Sequence, residues 1–136
     1  DTPELRQQLD AILTRYKLEA HRDSTVSALA QGVRKLLDIA MAVVSRPRIL
    51  LLDEPTSGIS VEEKFDFMDI VMDALKEDGV TVLFVEHDME IVARYVSRVL
   101  AFYQGEIIAD MPPKKALSDK KVQEFVIGKE HHKKKK

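Results

Sequence analysis

The sequence predicts an α/β fold: two parallel strands flanked by helices, followed by an antiparallel hairpin. Three observations predict it. Ile49-Leu50-Leu51-Leu52 and Val80-Thr81-Val82-Leu83-Phe84-Val85 are short apolar runs without polar alternation, the pattern of strands covered on both faces of a parallel sheet. A segment with helical periodicity lies between them. Beyond them, Val99-Leu100-Ala101-Phe102-Tyr103, the turn Gln104-Gly105 and Glu106-Ile107-Ile108-Ala109 read as a hairpin.

The remaining elements follow from their ends. Thr2, Pro3 and Glu4 form an N-cap and first turn, and Leu5, Leu9, Ile12, Leu13 and Tyr16 supply an apolar stripe, so a helix is expected over 3–18. A polar stretch from His21 to Ser24 breaks it. A second helical pattern runs from Gly32 through Leu36, Leu37, Ile39, Ala40 and Val43 until Arg46-Pro47 stops it. After the first strand, Ser60 and Glu63 have capping-box spacing for a helix carrying Phe65, Met68, Ile70, Val71, Met72 and Leu75, which Asp78-Gly79 terminates. A short helix is expected from Met89 to Tyr95. Pro112-Pro113 ends the sheet region, and Leu117, Val122, Phe125 and Val126 belong to short helical pieces packed on the body. No internal repeat is present.

With 136 residues, 45% of them hydrophobic, the chain has material for one core. No apolar stretch approaches the roughly 20 residues that span a bilayer, and the acidic start lacks a signal peptide's basic and apolar regions. Zero cysteines exclude disulfides and thiolate metal sites, in keeping with a cytosolic location. The net charge of −2 conceals an asymmetry: nine lysines against three acidic residues give 114–136 a charge of +6, leaving −8 on 1–113. The terminal His131-His132-Lys133-Lys134-Lys135-Lys136 reads as a solubilising end, and no nucleic-acid partner is expected.

Both apolar strands end on polar clusters, Asp53-Glu54-Pro55 and Glu86-His87-Asp88. Open α/β sheets bind ligands at the carboxyl ends of their strands. Adjacent carboxylates there suit nucleotide hydrolysis: Asp53 can hold Mg²⁺ through its water shell, while Glu54 orients and deprotonates the attacking water. On these residues alone, a turn merely capped by Asp53 and Glu54 stays open.

The order of three motifs narrows the reading. Leu29-Ala30-Gln31-Gly32-Val33 opens an apolar helix, Leu50-Leu51-Leu52-Asp53-Glu54-Pro55 follows, and Val85-Glu86-His87-Asp88 comes last. The succession resembles the signature loop, Walker B strand and switch-histidine loop of ATP-binding-cassette (ABC) ATPases, and the resemblance covers roughly residues 25–128. It implies the C-terminal part of a P-loop NTPase-type parallel sheet, with ATP and Mg²⁺ as cofactors. It further implies that Asp53 supports the metal, that Glu54 is the general base, and that His87 contacts and senses the γ-phosphate. Backbone N–H groups around Leu29, Ala30, Gln31 and Gly32 would grip ATP held by a second ATPase subunit, in a homo- or heterodimer.

Two departures accompany the resemblance. Ala30 lacks the usual serine hydroxyl, Gln31 replaces the first glycine and Val33 the glutamine, so only Leu29 and Gly32 match the signature. Ser60 stands where an aspartate usually closes the loop after Walker B. More consequential is the P-loop, Gly-x-x-x-x-Gly-Lys-Ser/Thr, which does not occur: no two of Gly32, Gly58, Gly79, Gly105 and Gly128 have its spacing. The expectation is therefore a C-terminal half, with the P-loop half upstream of Asp1. Such a fragment would be inactive alone and prone to self-association.

By motif the chain divides into a helical segment with a degenerate signature at 1–46, a Walker B and switch-histidine core at 47–111, and a C-terminal helical segment with a basic tail at 112–136. Glu86-His87-Asp88-Met89, the Gln104-Gly105 hairpin and the ending Phe125-Val126-Ile127-Gly128 look most like the ATPases of branched-chain amino acid importers. That likeness implies transmembrane transporter subunits as partners and a place on the inner face of the plasma membrane. Three other readings compete with this one. A DNA-repair or chromosome-maintenance ATPase head needs a long coiled coil, and residues 1–20 carry no sustained heptads. A phosphoacceptor domain needs a lysine at a later strand end, where Val85-Glu86-His87 has none. A non-catalytic interaction module would be separated by ATP titration.

Overall fold

The structure, a computed structural model, describes residues 2–128. The His-Lys terminus noted above lies outside the described residues. The chain divides after Val85 into two compact units.

In the first unit, α1 (Pro3–Arg15) starts as expected, the Thr2 hydroxyl accepting from the Leu5 N–H at 3.3 Å. It ends three residues before the expected Leu18. Lys17 adopts a left-handed φ of 56°, its N–H donates to Thr14 O at 3.2 Å and the Leu18 N–H to Leu13 O at 2.7 Å. This is a Schellman closure, normally given to glycine, and it lets Tyr16 and Leu18 both turn inward to buried positions. Leu5 and Leu9, by contrast, are exposed, so only the C-terminal half of the α1 stripe is covered.

The next helix, α2 (Gln31–Val44), buries Leu36, Ile39, Ala40 and Val43 at helical spacing. It leads through Arg46-Pro47 to β1 (Ile49–Asp53), then α3 (Lys64–Glu77) and β2 (Thr81–Val85). The strands pair in parallel, Ile49 with Thr81 through Asp53 with Val85. Met68, Val71 and Leu75 of α3 join Tyr16 in the best-buried part of the core.

Two expectations are corrected here. The strands are not covered on both faces: Leu50 is buried, but Ile49, Leu51, Leu83 and Val85 are each more than half exposed. These four residues share the opposite face, because side chains alternate and register partners point the same way. The expected capping box is also displaced. The Ser60 Oγ accepts from the Glu63 N–H at 3.3 Å and donates to the Glu63 carboxylate at 2.8 Å, closing a turn. Regular helix begins only at Lys64, with Glu63 as its cap.

The second unit opens with α4 (Met89–Tyr95) and the hairpin of β3 (Val99–Tyr103) and β4 (Glu106–Met111). At its turn both Gln104 (φ 47°) and Gly105 (φ 82°) are left-handed, the requirement of a tight two-residue hairpin. A bulge between Ala101 and Phe102 shifts the pairing. Arg98 grips Asp110 with two bonds of 2.7 Å, which lowers the Asp110 carboxyl below the ordinary aspartate range. The chain continues through α5 (Pro113–Ser118), α6 (Lys120–Val122) and a π-helical turn, Gln123–Ile127. Ala101, Ala109 and Val122 form the core of this unit, with Ile108, Met111 and Ile127 against it. Tyr103 stacks on Phe125 at 4.7 Å. Thus the short helical pieces expected here are found, packed on the hairpin.

Candidate functional site

β1 brings Asp53, exposed, and Glu54, half-buried, to its carboxyl end. The Glu54 N–H makes the last bond across to β2, donating to Val85 O at 2.9 Å. Glu54 itself sits at φ 46°, a left-handed conformation that costs a non-glycine residue about 1 kcal/mol or more. It is held there between that bond and the buried Pro55. A left-handed residue interrupts the strand's side-to-side alternation, so the two adjacent carboxylates need not lie on opposite sheet faces. The chain then folds back on itself, with Ser57 N–H donating to Glu54 O at 3.0 Å and Ile59 N–H to Thr56 O at 3.1 Å.

The start of α2 meets this turn. Leu29 is buried, and Ala30 takes the extended N-cap conformation (φ −60°, ψ 155°) without a side chain able to cap. The Arg34 Nε donates back to Leu29 O at 3.1 Å. One helical turn beyond Gln31, the Lys35 Nζ donates to Pro55 O at 3.1 Å, and the Gln31 carboxamide fills the space a Cβ would take at Gly58. At Gly32 a Cβ would meet nothing. The structure therefore brings Gln31 to the turn that follows the Asp53-Glu54 pair, with Ser60 at the far end of that turn and bonded to Glu63. Lys35 was missed by sequence reasoning; its spacing of four from Gln31 put both on one helix face, which was the available signal.

In the second unit, Glu86 Oε2 accepts from the His87 N–H at 3.1 Å and the Asp88 N–H at 3.3 Å. Asp88 Oδ1 caps α4, accepting from Glu90 N–H at 3.0 Å and Ile91 N–H at 3.4 Å. The Glu86 carboxylate thus braces the backbone at His87 and Asp88, and the His87 side chain is exposed.

Among the described residues no three His, Cys, Asp or Glu groups cluster to cage a metal. A single carboxylate at a strand end fits Mg²⁺, which retains several waters and substrate oxygens in its shell. Two clefts, of about 680 and 470 Å³, are both lined by α1 and include neither Asp53 nor Glu54. No helix among the described residues is long and apolar enough to cross a membrane.

Comparison with known proteins finds similarity to ATP-binding cassettes along most of the chain. Residues 2–57 match the family model for ABC transporters. Over nearly the whole chain, MJ1267, an ATP-binding cassette of an ABC transporter solved in its ADP conformation, superposes with a TM-score of 0.81 at 32% identity, covering 94% of this chain and 52% of that one. Over most of its length the chain is thus similar to ABC ATPase domains. The energy-coupling factor transporter ATP-binding protein EcfA3 of Clostridium perfringens is 32% identical over 119 residues, 88% of this chain and 42% of its own length. The cassette cbiO1 from the same species, part of the transporter complex cbiONQ, gives a TM-score of 0.79 at 31% identity over 90% of this chain and 49% of its own. The chain spans 20% to 42% of the length of such curated relatives, and about half of the solved cassettes.

Proposed function

We propose that the chain supplies the hydrolytic part of an ATP-driven transporter's nucleotide-binding subunit, and that a P-loop from polypeptide outside these 136 residues supplies the grip on the phosphates. The observation that carries the reading is Glu54, held left-handed at the end of β1 beside Asp53 and bonded to β2. In this role the Glu54 carboxylate takes a proton from the water that attacks the γ-phosphate, while Asp53 holds the water shell of Mg²⁺. His87, on its braced backbone, donates to the γ-phosphate oxygens. The N-terminal amides of α2, from Gln31 and Gly32, face ATP bound by a second ATPase subunit, with Leu29 and Ala30 shaping the turn and Ser60 closing the loop beneath it.

Transmembrane transporter subunits are the other partners, and they hold the ATPase at the inner face of the plasma membrane. For cargo, Glu86-His87-Asp88-Met89 and the Gln104-Gly105 hairpin favour an amino acid importer. EcfA3 favours a second reading, an energy-coupling factor transporter. Transport assays with the cognate membrane subunits, one with labelled branched-chain amino acids and one with the substrate of an energy-coupling factor system, decide between them.

Calorimetry tests the division of labour. Residues 1–136 alone are expected to bind Mg-ATP poorly and to turn it over negligibly, and a polypeptide that also carries a P-loop should bind it tightly. Micromolar affinity for the 136 residues alone contradicts the proposal.

A further inference from the structure

The Gln31 side chain has a task that the phosphate-contact reading of its backbone does not include. Two α2 side chains one turn apart reach the same turn, at Pro55 and Gly58. Lys35 bonds the Pro55 carbonyl at 3.1 Å, and the Gln31 carboxamide lies where a Cβ would project from Gly58. Gly58 is left-handed at φ 76°, so it is required twice over, by its backbone and by the amide above it. The turn they hold begins at Glu54, whose own left-handed backbone is an unfavourable conformation that persists only where its surroundings fix it.

We propose that Gln31 is a positioning residue, a side-chain latch from the first turn of α2 onto the 55–58 turn that holds the Glu54 carboxylate in place. One consequence is that any movement of the α2 N-terminus, including that caused by phosphate binding there, is passed to Glu54 within the same subunit. The catalytic part of this inference rests on Glu54 being the general base; the contact itself does not.

The contact is tested first in residues 1–136, by chemical denaturation of Gln31→Ala, Gly58→Ala and the double variant. Gly58→Ala carries the cost of its left-handed backbone in either background, but it displaces the amide only where Gln31 is present. The two single effects should therefore sum to more than the double effect, by about threefold in the unfolding constant. Hydrogen exchange at the amides of Thr56 to Ser60 should also quicken about threefold or more in Gln31→Ala. Strict additivity with unchanged exchange overturns the latch.

The positioning role is tested in the P-loop-bearing polypeptide. Gln31→Ala should lower kcat about tenfold with KM for ATP unchanged, since it loosens the base rather than the nucleotide's hold. A raised KM at normal kcat overturns positioning in favour of a binding role. Glu54→Gln, run in parallel, separates the two failures. If it too leaves kcat intact, the Glu54 reading falls and takes positioning with it. If it abolishes turnover while Gln31→Ala does not alter kcat, positioning alone is overturned.

Discussion

Replacing Tyr16 by phenylalanine should leave the protein as stable as before, or slightly more so, at neutral pH, and increasingly more stable than the parent above pH 10. The side chain is 1% exposed, and its hydroxyl is buried without a hydrogen-bond partner among the described residues. Burial, and then the carboxylate of Asp78, push the phenol up from 10.0 to about 12, while Arg15 pulls the other way. The sign follows from proton binding. Between pH 10 and pH 12 the unfolded chain has lost the Tyr16 proton and the folded chain retains it, so stability falls as pH rises through that window. Integrated from 10.0 to about 12, the loss reaches about 2 kcal/mol by pH 12. Phenylalanine removes this loss and also the unpaired hydroxyl, whose desolvation costs about 1 kcal/mol. Urea denaturation of both proteins from pH 8 to pH 12 measures the difference, and Tyr95 and Tyr103 cancel in the comparison. Curves that stay parallel across the window would refute the reasoning.

Other features give further expected outcomes. Ala30 already has N-cap backbone angles but no capping side chain, so Ala30→Ser should stabilise residues 1–136 by about 1 kcal/mol in the same denaturation assay. An unchanged midpoint would mean that the α2 N-terminus is satisfied in another way. The bare face of Ile49, Leu51, Leu83 and Val85 should drive the isolated chain to self-associate. The paired substitution Leu51→Asp with Leu83→Lys should return it to monomer by light scattering, and an unmodified chain that stays monomeric at high concentration counts against this. The stabilising part of the Arg98–Asp110 fork should be present above the ordinary aspartate range and be lost as pH falls through the lowered Asp110 value. An NMR titration placing Asp110 at or above an ordinary aspartate would contradict the geometry.

Much of the molecule was legible in the sequence because local and global signals agreed. The apolar runs gave β1 and β2 nearly to the residue, and Gln104-Gly105 located the hairpin turn. What escaped had physical causes. The end of α1 depends on Lys17 entering a left-handed conformation that glycine would have advertised. The bare sheet face escaped because an apolar residue reports a need for cover and cannot report whether cover is present. At the site, the strand-end carboxylates and the histidine were read from their positions after apolar runs. The Gln31 and Lys35 contacts with the 55–58 turn depend on how the start of α2 meets that turn in three dimensions, which helix spacing alone does not specify.

The reading of β1 as the hydrolytic strand is tested most directly by Glu54→Gln in a polypeptide that includes the P-loop. Glutamine keeps the shape at the strand end and can still hydrogen-bond the attacking water, but it cannot accept the water's proton. General-base catalysis is worth about 10² to 10⁴ in rate. Turnover at saturating ATP should therefore fall by that factor while Mg-ATP affinity stays nearly intact. Asp53→Asn should instead lower affinity and turnover together. If the Glu54→Gln protein hydrolyses ATP at a near-normal rate under saturation, Glu54 is not the base, and the assignment of chemistry to the end of β1 is wrong.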